Sequence, residues 1–258
     1  MKYLLSISVL IIMACNRPVT ETQMNGTMSG IYELRSISYK GGTMDTSFPA
    51  ANQVKIYTDK YYMYGTTRPD SSAFFGFGTY LFNDTSVLEQ SIFNSYALDS
   101  SSETILKITK LDTGYKQTES GVIMQGEAYE VGETYRALPE SAASELDGVW
   151  EQIAFVNIAG RDTTVIRNKQ FKIYKGGHFM WIHYYPAGTR ESGFKKGYGF
   201  GRFTLKDNTV TEIISASNYR EIIGAPISVN YTLNRDNELL LTFDDGVSVT
   251  TETYKRRN

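Results

Sequence analysis

Apolar and polar positions alternate along this chain with a period of two. Val54 and Ile56 interleave with Lys55 and Tyr57, Phe171 and Ile173 with Lys172 and Tyr174, and Leu239, Leu241 and Phe243 keep the same spacing near the end. Residues two apart share a face of a strand, so each run predicts an antiparallel strand with one face in a core and one in water. Turn signals separate the runs: Gly41-Gly42, Asn83-Asp84, Asp112-Thr113-Gly114, Gly176-Gly177, Asp207-Asn208, Asp236-Asn237 and Asp244-Asp245-Gly246. Their place between strand patterns makes the acidic pairs hairpin turns rather than metal or acid/base sites.

The pattern is written twice. Gln53-Val54-Lys55-Ile56-Tyr57 returns as Gln170-Phe171-Lys172-Ile173-Tyr174, and Gly76-Phe77-Gly78-Thr79-Tyr80 as Gly199-Phe200-Gly201-Arg202-Phe203. The offsets stay close, 117 between the lysines (172 − 55) and 123 between the second glycines (201 − 78), as expected when a whole folded unit is duplicated. Each copy then carries about eight or more short strands joined mainly by hairpins, which means a barrel or a sandwich. Glycine within the fourth strand pattern marks a bulge, a sharp bend or a close backbone approach, as a closed coiled sheet requires. No helix pattern follows Gly-x-Gly, so a phosphate cradle is not indicated. Pro139 followed by Glu140 and alanines predicts one or two helical turns at the join, a connection short enough to hold the two units together.

Composition agrees with a folded β-rich chain: 41% of residues are hydrophobic, with 19 Tyr and 13 Phe among 258. Lys and Arg number 26 against 28 Asp and Glu, which gives no basic face for nucleic acid.

Lys2 precedes an apolar run from Tyr3 to Met13, too short at about 1.5 Å per residue to span a bilayer as a helix and suited to a signal-peptide core. The run ends in Ile12-Met13-Ala14-Cys15, which resembles the lipobox of bacterial lipoproteins, and Cys15 is the one cysteine of the chain. That resemblance implies acylation of Cys15 and a membrane anchor, since two or three acyl chains hold stably at about 0.8 kcal/mol per buried methylene. The resulting division is residues 1–14 signal peptide, 15–29 lipidated tether, 30–138 first barrel, 139–147 linker and 148–258 second barrel.

Each copy opens with glycine, one residue and an aromatic, Gly30-Ile31-Tyr32 and Gly148-Val149-Trp150, and closes with Glu133-Thr134-Tyr135-Arg136 or Glu252-Thr253-Tyr254-Lys255. Together with Lys-Ile-Tyr ahead of Phe179-Met180-Trp181, the glycine-rich fourth strand and Thr211-Glu212, each half resembles the lipocalin-like domains of unknown function found in bacterial lipoproteins. The resemblance implies an all-β fold of two tandem antiparallel lipocalin-like barrels. It also implies cation–π closure, with Lys255 on Trp150 and Arg136 on Tyr32.

Candidate chemistry is sparse. His178 and His183, the two histidines, lie on opposite faces of a strand, so they do not chelate one metal, and no Gly-x-Ser-x-Gly accompanies them. Glu212 shares a face with Val210 and Ile214, and its duplicate Glu89 with Val87. Either the two glutamates face the solvent, or they point inward and need a cation, for which Arg202 is the candidate in the second copy. Tyr64, Trp181, Tyr96 and Tyr219 repeat as aromatics at matched positions, as packing or as a ligand lining. No catalytic constellation, cofactor or metal site is indicated. The expected function is a protein lipid-anchored in a bacterial cell envelope, periplasmic or at the surface, binding a small apolar or amphipathic ligand. Two alternatives stand beside it: a non-catalytic envelope module with solid barrels and a protein partner, and a barrel enzyme using Glu212.

Overall fold

A computed structural model of the chain describes residues 27–42, 44–49, 52–68, 70–96, 101–166, 168–185 and 196–258. Cys15 and the signal-like run lie outside these residues. Among the described residues no helix is long and apolar enough to cross a membrane.

The first copy folds as β1 (Gly30–Gly41), β2 (Met44–Pro49), β3 (Val54–Tyr57), β4 (Tyr61–Thr67), β5 (Ala73–Phe82), β6 (Ser86–Asn94), β7 (Glu103–Leu111), β8 (Gly114–Met124) and β9 (Glu127–Ala137). The second repeats it with β10 (Gly148–Ala159), β11 (Asp162–Val165), β12 (Lys169–Lys175), β13 (His178–Tyr184), β14 (Lys196–Lys206), β15 (Thr209–Ser217), β16 (Pro226–Leu233), β17 (Glu238–Asp244) and β18 (Ser248–Arg257). Every pairing between strands is antiparallel, and β1 closes on β9 as β10 closes on β18. Because β2 and β3 pair with successive stretches of β1 along the same side, eight ribbons circle each barrel. The chain is thus all-β, two closed antiparallel barrels in tandem. The predicted turn pairs all fall between strands, with Gly41, Gly42, Gly176 and Gly177 at positive φ.

The two faces of β3 and β12 depart from the simple expectation. All four residues of β3 are buried, as are Gln170 to Tyr174 of β12. Lys55 and Tyr57 point into the barrel, whereas Val54 and Ile56 point out of it and are covered by the other barrel. The apolar cluster there takes Ile31, Val54, Ile56, Met63, Phe75 and Phe77 from one copy and Val149, Phe171, Ile173, Met180, Tyr198 and Phe200 from the other, matched positions in the two. Phe77 stacks on Phe171 at 4.3 Å between centroids, and β5 lies against its own duplicate β14. The barrels therefore mate through the same outer face, in the manner of an isologous dimer interface. Polar contacts rim it: Thr67 Oγ1 with the Tyr198 hydroxyl at 2.9 Å, Lys196 Nζ to the Ser95 carbonyl at 2.7 Å, and Tyr61 OH to the Asn258 carbonyl at 3.0 Å.

The glycines of the fourth strand serve two ends. A Cβ on Gly76 or Gly199 would collide with the ring of Tyr64 or Trp181, so the bare backbone makes room for an aromatic inside each barrel. Gly78 and Gly201 sit at β-bulges where a Cβ would strike the backbone of the next strand.

One end of each barrel is plugged. Met28 and Leu146 are buried there, and four residues later Tyr32 OH and Trp150 Nε1 donate back to their carbonyls at 3.0 and 2.9 Å. The connection between barrels holds no helix; residues 138–147 run irregularly, with a turn in which Ser144 N and Oγ donate to Asp147 Oδ1. Packing Leu146 into the barrel mouth overrides the local helix signal. The cation on Trp150 is Arg256, with its guanidinium 4.2 Å from the ring, and not Lys255, which pairs with Glu238. Tyr254 points inward, so Lys255 must point out and the next inward position is 256. In the first copy that position is Ala137, and Arg136 pairs with Glu33 at 2.9 Å while Tyr32 packs edge-on against Tyr115.

Phe171→Ala should lower the unfolding free energy by about 3–5 kcal/mol in urea denaturation, because both barrels lose packing. Phe48→Ala, at an exposed site, should stay within about 0.5 kcal/mol. Equal small losses would mean that the barrels do not share a core.

Candidate functional site

Three inward side chains on two strands make the centre of each barrel. In the first, Lys55 Nζ lies 2.6 Å from Glu89 Oε1, and Tyr57 OH donates to the same oxygen. In the second, Lys172 Nζ lies 2.8 Å from Glu212 Oε1, which also accepts from Tyr174 OH, and Lys172 Nζ donates to Tyr174 OH at 3.2 Å. All six residues are buried. Strand parity places them: Lys and Tyr two apart on β3 or β12 share the inner face, and β6 or β15 presents the glutamate across the lumen. Burial followed by the adjacent carboxylate raises the pKa of Tyr57 and of Tyr174 well above the ordinary phenol value, so both hydroxyls stay protonated and donate.

A second polar layer repeats as well. Tyr135 OH donates to Glu133 Oε2 at 2.8 Å and accepts from Gln53 Nε2 at 2.6 Å; Tyr254 OH donates to Glu252 Oε2 and accepts from Gln170. Here the copies diverge. In the first barrel Gln117 joins the layers, accepting from Lys55 Nζ at 3.3 Å and donating to Glu133 at 2.6 Å. The register partner in the second barrel is Leu241, opposite Glu252 as Gln117 is opposite Glu133. Gln152 of the second barrel donates to Tyr254 OH at 3.3 Å, and its buried Oε1 has no hydrogen-bond partner.

From the second layer outward the inner wall meets solvent. Glu133, Glu119 and Tyr64 in the first barrel and Trp181 and Glu252 in the second are inward yet partly exposed, opposite the plugged ends. Trp181 stacks on His183 at 5.0 Å, and His183 Nε2 is 2.6 Å from Tyr219 OH. At the first rim Arg68 lies over Phe74 and Tyr96 at 4.9 and 5.1 Å.

Of the sequence candidates, Glu89 and Glu212 thus face inward, which removes the solvated-face reading. Tyr64 and Trp181 line the two lumens, Tyr219 joins Trp181 through His183, and Tyr96 stands 49% exposed at the rim. Arg202 is exposed on the outer face opposite His178, so the cation on Glu212 is Lys172. The histidines do lie on opposite faces: His178 stacks on outward Phe200, and His183 on inward Trp181. Among the described residues no group of three His, Cys, Asp or Glu could hold a metal ion. The residues missed by sequence reasoning are Lys55, Lys172, Tyr57, Tyr174 and the Gln and Tyr of the second layer; their signal was identity between copies at positions taken as solvent-facing. A recess of about 220 Å³ lined by Glu145, Asn208 and Tyr231 lies at the plugged end of the second barrel and contains no candidate residue.

The sequence matches no protein-family model and no curated protein.

Lys172→Met should cost about 3–5 kcal/mol in chemical denaturation, because Glu212 is left buried without its cation. Lys172→Met combined with Glu212→Met should recover most of that loss; a single-variant cost under about 1 kcal/mol would show the pair to be solvated. A pH effect follows from the first barrel, where burial raises the pKa of Glu119, with Glu133 and Glu89 adding to it and Lys55 opposing, and burial raises Glu133 also. Raised folded pKa values mean stability present at low pH and lost as pH climbs through them. Glu119→Gln/Glu133→Gln should therefore be more stable than wild type at pH 7, with the advantage vanishing as pH falls to about 4.3; a difference independent of pH would contradict this.

Proposed function

We propose that this chain is a lipid-anchored, lipocalin-like binding protein that takes a small amphipathic ligand into the open end of its barrels. One observation carries the reading: in both copies a buried polar floor lies beneath inward aromatics that solvent still reaches. A polar floor orients a ligand's head while aromatic walls cover its body, the usual division of labour in a small-molecule site. The lipobox-like end at Cys15 supports the anchor and the tether supports a stand-off from the bilayer. Tyr57 and Tyr135 in the first barrel and Tyr174, Tyr254 and Trp150 in the second are fully buried, and this favours a second reading as a solid-barrelled envelope module with a protein partner.

Native mass spectrometry of the chain purified from its membranes should show a co-purifying small molecule, released by organic extraction. Trp181→Ala should reduce its occupancy, and Cys15→Ser should move the protein from the membrane to the soluble fraction. A chain that carries no ligand and quenches with no apolar probe would leave the solid-barrel reading in its place.

A further inference from the structure

The two lumens differ in charge, and the difference lies in one column of β8. Tyr115, Gln117 and Glu119 stand opposite Tyr135, Glu133 and Val131. At the matching registers β17 carries Leu239, Leu241 and Phe243. Among the described residues the first lumen therefore holds three carboxylates, Glu89, Glu119 and Glu133, against one cation, Lys55. That cation is committed to Glu89 at 2.6 Å and to Gln117 at 3.3 Å. Glu133 receives only neutral donors, Gln117 Nε2 and Tyr135 OH, and neither a hydrogen bond nor an ion pair reaches Glu119 among the described residues.

A separate feature points to the same place. The Tyr115 hydroxyl is buried and has no partner at normal hydrogen-bond distance and angle; the neighbouring hydroxyl is that of Tyr57, which is spent on Glu89. Its ring stacks on Tyr135 at 4.9 Å and meets Tyr57 edge-on at 6.4 Å, the two tyrosines whose hydroxyls reach Glu133 and Glu89. An orphaned hydroxyl nearly out of reach of solvent costs on the order of 1–3 kcal/mol unless something pairs with it. The lumen thus has two carboxylates, Glu119 and Glu133, without a cation and, near Glu133, a hydroxyl without a hydrogen-bond partner.

Building on the ligand-binding reading above, we propose that the first barrel binds a primary amine with an apolar or aromatic body, its ammonium seated among Glu119, Glu133 and the Tyr115 hydroxyl oxygen. An ammonium brings one positive charge and three donors, which matches two carboxylates and one lone pair. A metal ion does not fit: among the described residues no group of three His, Cys, Asp or Glu could hold one. Tyr62 and Tyr64, whose rings already lie 5.5 and 5.8 Å from Lys55 Nζ, give aromatic faces to the cation and to the body behind it. The second barrel, with Leu241 and Phe243 in the column, lacks this seat.

The test compares 2-phenylethylamine with its neutral isostere 2-phenylethanol by calorimetry on the full chain in detergent, wild type and Glu119→Gln/Glu133→Gln. The wild type should bind the amine on the order of tenfold or more tighter. The double variant should bind both probes equally, with its urea midpoint at pH 7 no lower than that of the wild type. If both probes bind the wild type equally, the amine proposal fails while the binding reading stands. If the preference survives in the variant, the amine sits elsewhere and the proposal fails. If neither probe binds, the open-cup reading and the proposal fall together.

Discussion

A β-strand has two faces, and in this chain both faces of the central strands must be buried. Val54 and Ile56 leave the barrel and meet the other copy, while Lys55 and Tyr57 enter it. The other features follow from that assignment. Because the apolar residues of β3, β4, β5 and their duplicates are covered from outside, the lumens are free to hold charge. Since charge is inside, each lysine needs its glutamate, and each glutamate its tyrosine. Because aromatic rings share the same lumen, the strand beneath them is glycine at Gly76 and Gly199.

Architecture was largely legible in the sequence. The period-two runs, the turn pairs and the repeat lead to two closed antiparallel barrels, and the glycines mark the bulges at Gly78 and Gly201. The join was misread, because Pro139 and the alanines carry a helix signal that the packing of Leu146 outweighs. Parity misled at Lys55 and Tyr57. Alternation identifies two faces but does not say which faces inward, and a lysine is normally given to water. Only a partner surface, invisible in any local window, reverses that choice. The resemblance misplaced the cation on Trp150 by one residue, Lys255 for Arg256.

The candidate residues divide accordingly. The apolar residues two positions away left Glu89 and Glu212 open to either face, and their partners lay on the strand face given to water, at Lys55 and Lys172. Arg202, the candidate cation for Glu212, is on the outer face. The copy-specific residues that matter in the lumen are uncharged or opposite in kind: Gln117 and Glu119 in the first barrel, and Leu241 and Phe243 in the second. They lie in strands where the copies have little identity, so nothing in the repeat itself drew attention to them.

The mating of like faces, β5 against β14, has a consequence for how the two lumens can differ. Were the barrels separate chains joined as a symmetric dimer, any change in one cup would appear in the other at the same moment. One covalent chain removes that identity while the short connection keeps the halves at high effective concentration, so the shared face persists even when it is imperfect. Specificity can then be written into a single lumen, with its neighbour left to supply half of the wall that holds it shut.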